Sequence, residues 1–257
     1  MSKILTFSFC DSFIEKLAGY MEKEYVKAGK DISRLALVFG GKRPALFVKR
    51  ELARRLKENY YPPRFFAIDE LMHYIVGRNE VFEPANDLDH SYLMYQLARE
   101  YAPSILKGRE TFAQFLPWAQ ELATFIDQLD LEGIDDQALG SLKQSAQIGF
   151  DVPEEINRLL QQIAVLRRMY HEYMKKAKQY SRGFIYRRAA ELIPQTAFSS
   201  FDHIIFCNFF YFHQCEERVV QSLMKQDKAT LIFQGDERKW PVLDHVAKQF
   251  QCEIKEG

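Results

Sequence analysis

Four short segments stand just after candidate strands, where a parallel sheet would place phosphate chemistry: Ser8-Phe9-Cys10-Asp11-Ser12, Gly40-Gly41-Lys42-Arg43, Cys207-Asn208 and Gly235-Asp236. A phosphate-binding loop needs glycines for close backbone approach, a Lys for the phosphates and a Ser or Thr for magnesium. The first segment has no glycine and no Lys. The second has Gly-Gly-Lys, but the GxxxxGK[ST] spacing fails and Pro44 stands where the hydroxyl belongs. A nucleotide hydrolase also needs acidic groups to hold magnesium and orient water, and Cys207-Asn208 supplies none. ATP hydrolysis is therefore not expected, and Cys10, Asp11, Ser12, Cys207, Asn208, Gly235 and Asp236 read as positions of a nucleotide site without its chemistry.

Two groups of cations offer different chemistry. Lys42, Arg43, Lys49 and Arg50 stand together, followed by Arg54 and Arg55. Arg167, Arg168, Arg187 and Arg188 form a second group with Lys175, Lys176, Lys178 and Arg182, interleaved with Tyr170, Tyr173, Tyr180 and Tyr186. Cations can meet phosphates while bases stack on aromatic rings. The same residues also fit a solvated face or a protein contact, and Tyr170 and Tyr173 have the spacing of a core stripe. Cys207, His213 and Cys215 lack a fourth metal ligand, so no metal and no cofactor is expected. Cys10 reads as a buried structural thiol rather than an activated one.

The elements that position these residues alternate at both ends of the chain. Residues 4–9, 35–39 and 65–68 read as strands, each followed by a helical pattern. Asp11 or Ser12 is placed to cap the first helix, with Glu15 near the capping-box position, and Asp69 is placed to cap the third. From roughly 77 to 190 the pattern is helical almost throughout. Phe112, Phe115, Leu116, Ala119, Leu122, Ile126 and Leu129 make one stripe; Ile163, Leu166, Tyr170 and Met174 belong to another. Strands return at 203–207 and 229–233, a helix at 242–250, and a further strand begins near Cys252. The expected fold is α/β: a discontinuous parallel-sheet domain over 1–76 and 190–257, with an all-helical insertion over 77–189.

Composition narrows the class. The 257 residues are 47% hydrophobic and 27% charged, with 12 Gly and 9 Pro, as in a folded globular chain. No apolar run reaches the length of a membrane span, and four cysteines without a CxxC pair point to a reducing, cytoplasmic setting. Thirty-five Lys and Arg balance 35 Asp and Glu. By segment the charge is uneven: roughly +6 over 1–60, −10 over 61–160, +6 over 161–200 and −2 over 201–257.

The order of these segments resembles the N-terminal helicase-like region of AddB/RexB-type proteins, subunits of ATP-dependent helicase–nucleases placed with the PD-(D/E)XK nuclease superfamily. Leu37 to Leu52 looks like the family's second-strand segment, equivalent to helicase motif Ia. The segment Pro63 to Met72 looks like its next strand and helix. Leu122 to Glu132 and Gly183 to Ala190 resemble parts of its helical insertion. His203 to Phe209, Glu216-Glu217 and Ala229 to Asp236 resemble its Walker B and motif III regions. The resemblance implies a RecA-like, P-loop-type domain with a degenerate loop, and a role in DNA repair and recombination. It implies a scaffold that binds single-stranded DNA and a helicase–nuclease partner subunit, with Lys42 and Arg43 inheriting motif Ia's DNA contact. No nuclease core matches here, since Glu253-Ile-Lys255 lacks a preceding Pro-Asp; the ending just after a strand begins suggests a fragment of a longer polypeptide. Two other readings stand beside this one: a divergent ATPase using Lys42 and Asp236, and a pure protein-interaction module.

Overall fold

The computed structural model describes residues 3–57, 59–136, 139, 154–235, 241–250 and 254–256, which form two compact units. The first comprises residues 1–78, 192–212 and 217–257, and the second 79–191 and 213–216. The expected boundaries after 76 and 189 compare with 78 and 191. His213 to Glu216 join the helical unit because His213 Nδ1 lies 2.6 Å from Glu132 Oε1 and the Cys215 thiol donates to the Asp130 carbonyl at 3.1 Å.

The first unit is built on a six-stranded parallel sheet. Its strands are β1 (Lys3–Phe7), β2 (Leu35–Phe39), β3 (Arg64–Ala67), β6 (His203–Cys207), β7 (Ala229–Gln234) and β8 (Ile254–Glu256). Their order across the sheet is β3-β2-β6-β7-β1-β8. Parallel strands covered on both faces need continuous apolar sequence, and β2, Leu-Ala-Leu-Val-Phe, is buried at every position. Each connection requires a crossover, supplied by α1 (Phe13–Met21), α2 (Arg43–Leu56), α3 (Ile68–Gly77), α8 (Gln214–Lys225) and α9 (Pro241–Phe250). On one face, Leu5, Phe7, Leu37, Phe39, Ile205, Cys207 and Ile232 pack with Leu17, Ala18 and Met21 of α1 and Val48 and Leu52 of α2.

Local capping departs from expectation at two helices. Ser12 is the cap residue of α1 but its side chain makes no capping bond, so no capping box forms there. Helix α3 begins one residue before Asp69, and Glu70, not Asp69, accepts the Ala67 backbone N–H at 2.9 Å.

The second unit contains α4 (Asp87–Tyr101), α5 (Phe112–Leu131), α6 (Glu154–Ala177) and α7 (Arg182–Leu192). A two-residue parallel pair, β4 (Glu83–Pro84) with β5 (Gln179–Tyr180), interrupts the helical pattern. Thr111 and Gln114 form a capping box at α5. Helix α4 packs on both α5 and α6. At the centre of this unit is a charged cluster. Asp130 is fully buried and takes two bonds from Arg167, at 2.6 and 3.1 Å, while His171 Nε2 lies 2.8 Å from its other oxygen.

Candidate nucleic-acid interface on the carboxyl edge of the sheet

Ligands of open parallel sheets bind beyond the carboxyl ends of the strands. The strand order places four loops there in sequence: that after β2 with Gly40 to Lys42, that after β6 with Asn208 to Tyr211, that after β7 with Gly235, and that after β1 with Ser8 to Ser12.

The loop after β1 is closed on itself. Its Cys10 N–H donates to Ser8 Oγ at 3.1 Å and its Asp11 N–H to the Ser8 carbonyl at 3.1 Å. These two amides are thus spent within the loop. The Gln234 side-chain amide then donates to the Asp11 carbonyl at 2.9 Å and the Ser8 carbonyl at 3.3 Å. The Gly235 N–H reaches the Phe7 carbonyl at 2.8 Å. At the start of α1, Asp11 pairs with Lys16 at 3.2 Å and Glu15 lies in the first turn. Two carboxylates therefore stand where the helix dipole would otherwise favour an anion.

The loop after β6 is equally occupied. Cys207 is buried, its thiol pushed well up by burial. Asn208 adopts the left-handed conformation, φ 58°, which Asn tolerates better than most side chains. Its N–H donates to the Ile232 carbonyl at 2.7 Å and its side-chain oxygen accepts the Gln234 N–H at 3.0 Å. Cys207, Asn208 and Gln234 thus join β6 to β7 with neutral groups. Asp236 lies outside the described residues.

Among the described residues, the loops after β6 and β1 carry exposed aromatic rings. In Phe209-Phe210-Tyr211-Phe212 the outer pair is buried and stacked, ring centroids 4.9 Å apart. The inner pair is thereby turned outward, with Phe210 52% and Tyr211 63% exposed. Phe9, after β1, is 59% exposed. Phe9 was expected within a strand over 4–9, but β1 ends at Phe7; for Phe210 and Tyr211 the run of four aromatics after Asn208 was the available signal. Cys10 is exposed, not buried, because its loop lies beyond the strand end.

The first cation group lies at this edge and along α2. Lys42 pairs with Glu70 at 2.7 Å, and that hydrogen bond raises the Lys42 ammonium while holding the Glu70 carboxyl below the usual range. Lys49 sits over the Phe65 ring, 5.1 Å from its centroid. Arg43 and Arg50 are exposed and make no ion pair among the described residues. Seven residues apart, they share one helical face with Leu46 and Phe47, which are 69% and 40% exposed. Arg54 and Arg55 are instead engaged by Glu51.

The second cation group divides. Arg168 is exposed, as are Lys175, Lys176, Lys178 and Arg182. Arg167 is fully buried and cannot meet a phosphate; it bonds Asp130, Asp136 and the Ile134 carbonyl. Arg188 is mostly buried between Glu80 and Glu191, and Arg187 reaches Glu191 and Asp130. Tyr170, Tyr180 and Tyr186 are buried, leaving Tyr173 exposed. Arg167, Arg187 and Arg188 are accordingly structural, since each carries carboxylate partners within its own unit.

No protein-family model matches the chain, and no curated protein matches it. Among the described residues no group of three or more His, Cys, Asp or Glu side chains could hold a metal ion, and no helix is long and apolar enough to cross a membrane. A cleft of about 460 Å³, lined by Leu5, Tyr20, Arg55 and Lys255 among others, opens on the sheet face beside α1 rather than at the carboxyl edge.

Proposed function

We propose that this chain is a RecA-like, helicase-type module that holds single-stranded DNA without hydrolysing nucleotide, as part of an AddB/RexB-type helicase–nuclease. One observation carries the reading: the loops that would serve ATP are bonded to one another through Gln234, while cations and aromatic rings face outward on the same sheet edge. The strand order supports a RecA-like arrangement over the two common doubly wound orders. In those, the first strand neighbours an early strand of the chain, whereas here β1 lies between β7 and β8.

In this reading Lys42, Arg43, Lys49 and Arg50 meet phosphates, and of the second group's four named arginines Arg168 alone is exposed enough to do so. The divergent-ATPase alternative is disfavoured because the β1 loop has no glycine and no Lys, and its Cys10 and Asp11 amides are bonded to Ser8. A protein-contact role is favoured by one feature, the exposed Leu46 and Phe47 between Arg43 and Arg50, which would suit an acidic segment of a partner subunit.

The test pairs two titrations on the full chain. A fluorescent ATP analogue with magnesium should give no saturable signal, and a labelled single-stranded oligonucleotide should bind at low salt. Saturable nucleotide binding with turnover, or absence of DNA binding at low salt, would refute the proposal.

A further inference from the structure

We infer that Phe9, Phe210 and Tyr211 form a base-stacking crest for single-stranded nucleic acid, an inference that rests on the DNA-holding reading and names the residues that would contact bases. Three observations meet here. First, these are large aromatic side chains exposed by 59%, 52% and 63%, although the neighbouring Phe209 and Phe212 are buried fully enough to show that burial was available. Second, the two loops belong to β6 and β1, which are separated by β7 alone, so their tips lie two interstrand spacings apart, about 10 Å. That span matches a few consecutive nucleotides rather than a duplex groove. Third, on the β2 side Arg43 is exposed beside the Lys42–Glu70 pair, whereas on the β1 side Asp11 is paired with Lys16 and Glu15 lies in the first turn of α1.

The division of charge decides the chemistry. A phosphate at the β1 end would meet Glu15 and an Asp11 whose charge is already matched by Lys16, a net negative set, whereas an uncharged base meets no such repulsion. Aromatic faces accept any base, and stacking is sequence-tolerant. The backbone therefore enters at Lys42 and Arg43, and the bases turn onto Phe210, Tyr211 and then Phe9. Both loops are fixed in place, because Gln234 ties the β1 loop to the end of β7 and Asn208 ties the β6 loop to the same residue. A rigid platform loses little freedom when a base settles on it.

The experiment compares two labelled 12-mers of equal charge, one of thymidine and one of abasic residues, bound to the full chain at low salt. The crest predicts that thymidine binds at least tenfold tighter. Phe9→Ala, Phe210→Ala and Tyr211→Ala should each weaken thymidine binding by about five- to one-hundred-fold, with little change for the abasic strand. All three sites are exposed, so circular dichroism should be unchanged. Tyr211→Trp should keep the preference, and its new fluorescence should be quenched by thymidine but not by the abasic strand. Equal affinity for both strands would overturn the crest while leaving a charge-held DNA role intact. Failure of both strands to bind would overturn the crest together with the DNA-holding reading.

Discussion

Replacing Arg167 by Ala isolates the largest structural consequence of the buried charge cluster. Arg167 donates to Asp130 Oδ1 from Nε at 3.1 Å and from Nη2 at 2.6 Å, to Asp136 at 3.2 Å and to the Ile134 carbonyl at 2.6 Å. Burial pushes the Asp130 carboxyl up, but the His171 hydrogen bond and the charges of His171 and Arg167 outweigh it, holding the group below its ordinary range. Truncation leaves a fully buried carboxylate with His171 and a more distant Arg187, 3.7 Å away. Breaking one partner of a buried pair costs about 3–5 kcal/mol. His171 remains in place, so the lower end of about 3 kcal/mol is expected. That is a large fraction of the roughly 5–15 kcal/mol that stabilises a typical domain. The neighbouring Arg168→Ala removes an exposed cation and should change stability by less than about 0.5 kcal/mol. Urea unfolding followed by Trp118 in a Trp240→Phe background reads the helical unit directly. Equal effects of the two substitutions would refute the burial argument, as would full tolerance of Arg167→Ala. The paired change Arg167→Met with Asp130→Leu should recover much of the loss, because it removes both charges.

Three further outcomes follow from the same physics. Burial holds the His203 imidazole down at about 4 against an ordinary 6.5, beside Thr230 at 2.8 Å. The folded state therefore resists protonation, and stability present above pH 6.5 should fall by about 3 kcal/mol as pH drops from 6.5 to 4. A His203→Gln variant should lose most of that dependence in urea titrations; an unchanged profile would contradict it. At Gly183 an added Cβ would lie 2.5 Å from the Asp127 Cα and 2.6 Å from its carbonyl oxygen. Gly183→Ala should therefore destabilise the helical unit by about 1–3 kcal/mol, and a thermal midpoint equal to the parent's would show that the contact relaxes freely. Leu37→Ala, at a wholly buried position of β2, should cost about 2–5 kcal/mol, read by chemical denaturation; a smaller loss would mean the core collapses into the space.

Much of the sheet was legible because parallel strands covered on both faces demand continuous apolar runs. Leu35–Phe39 and His203–Cys207 are strands over the residues that pattern predicts. The amphipathic stripe of α5 was equally plain. The two-residue pair β4–β5 was not, since two residues carry no period. The burial of Arg167 escaped because its partner Asp130 lies 37 residues away in sequence. Yet a signal existed: Arg167 shares the helical face of Ile163, Tyr170 and Met174, and Asp130 follows Ile126 by one turn. Two opposite charges on two apolar stripes are the mark of a buried pair, whereas counting cations along the chain suggested a surface. That the loop after β1 has no Lys and the loop after β6 no acidic pair was readable directly from the sequence. What sequence could not supply was the role of Gln234, whose bonds to Ser8 and Asp11 span more than two hundred residues.

The central claim is that Lys42, Arg43, Lys49 and Arg50 hold a single strand by its phosphates. Anisotropy of a labelled oligonucleotide across a salt series measures it most directly. Four phosphate contacts predict that log affinity falls against log salt with a slope of about −2.8, and Lys42→Ala with Arg43→Ala should reduce it to about −1.4. Substituting the exposed Lys175 and Lys176 of the helical unit should leave the slope unchanged. A slope near zero, or one that only the helical-unit substitutions alter, would contradict the account.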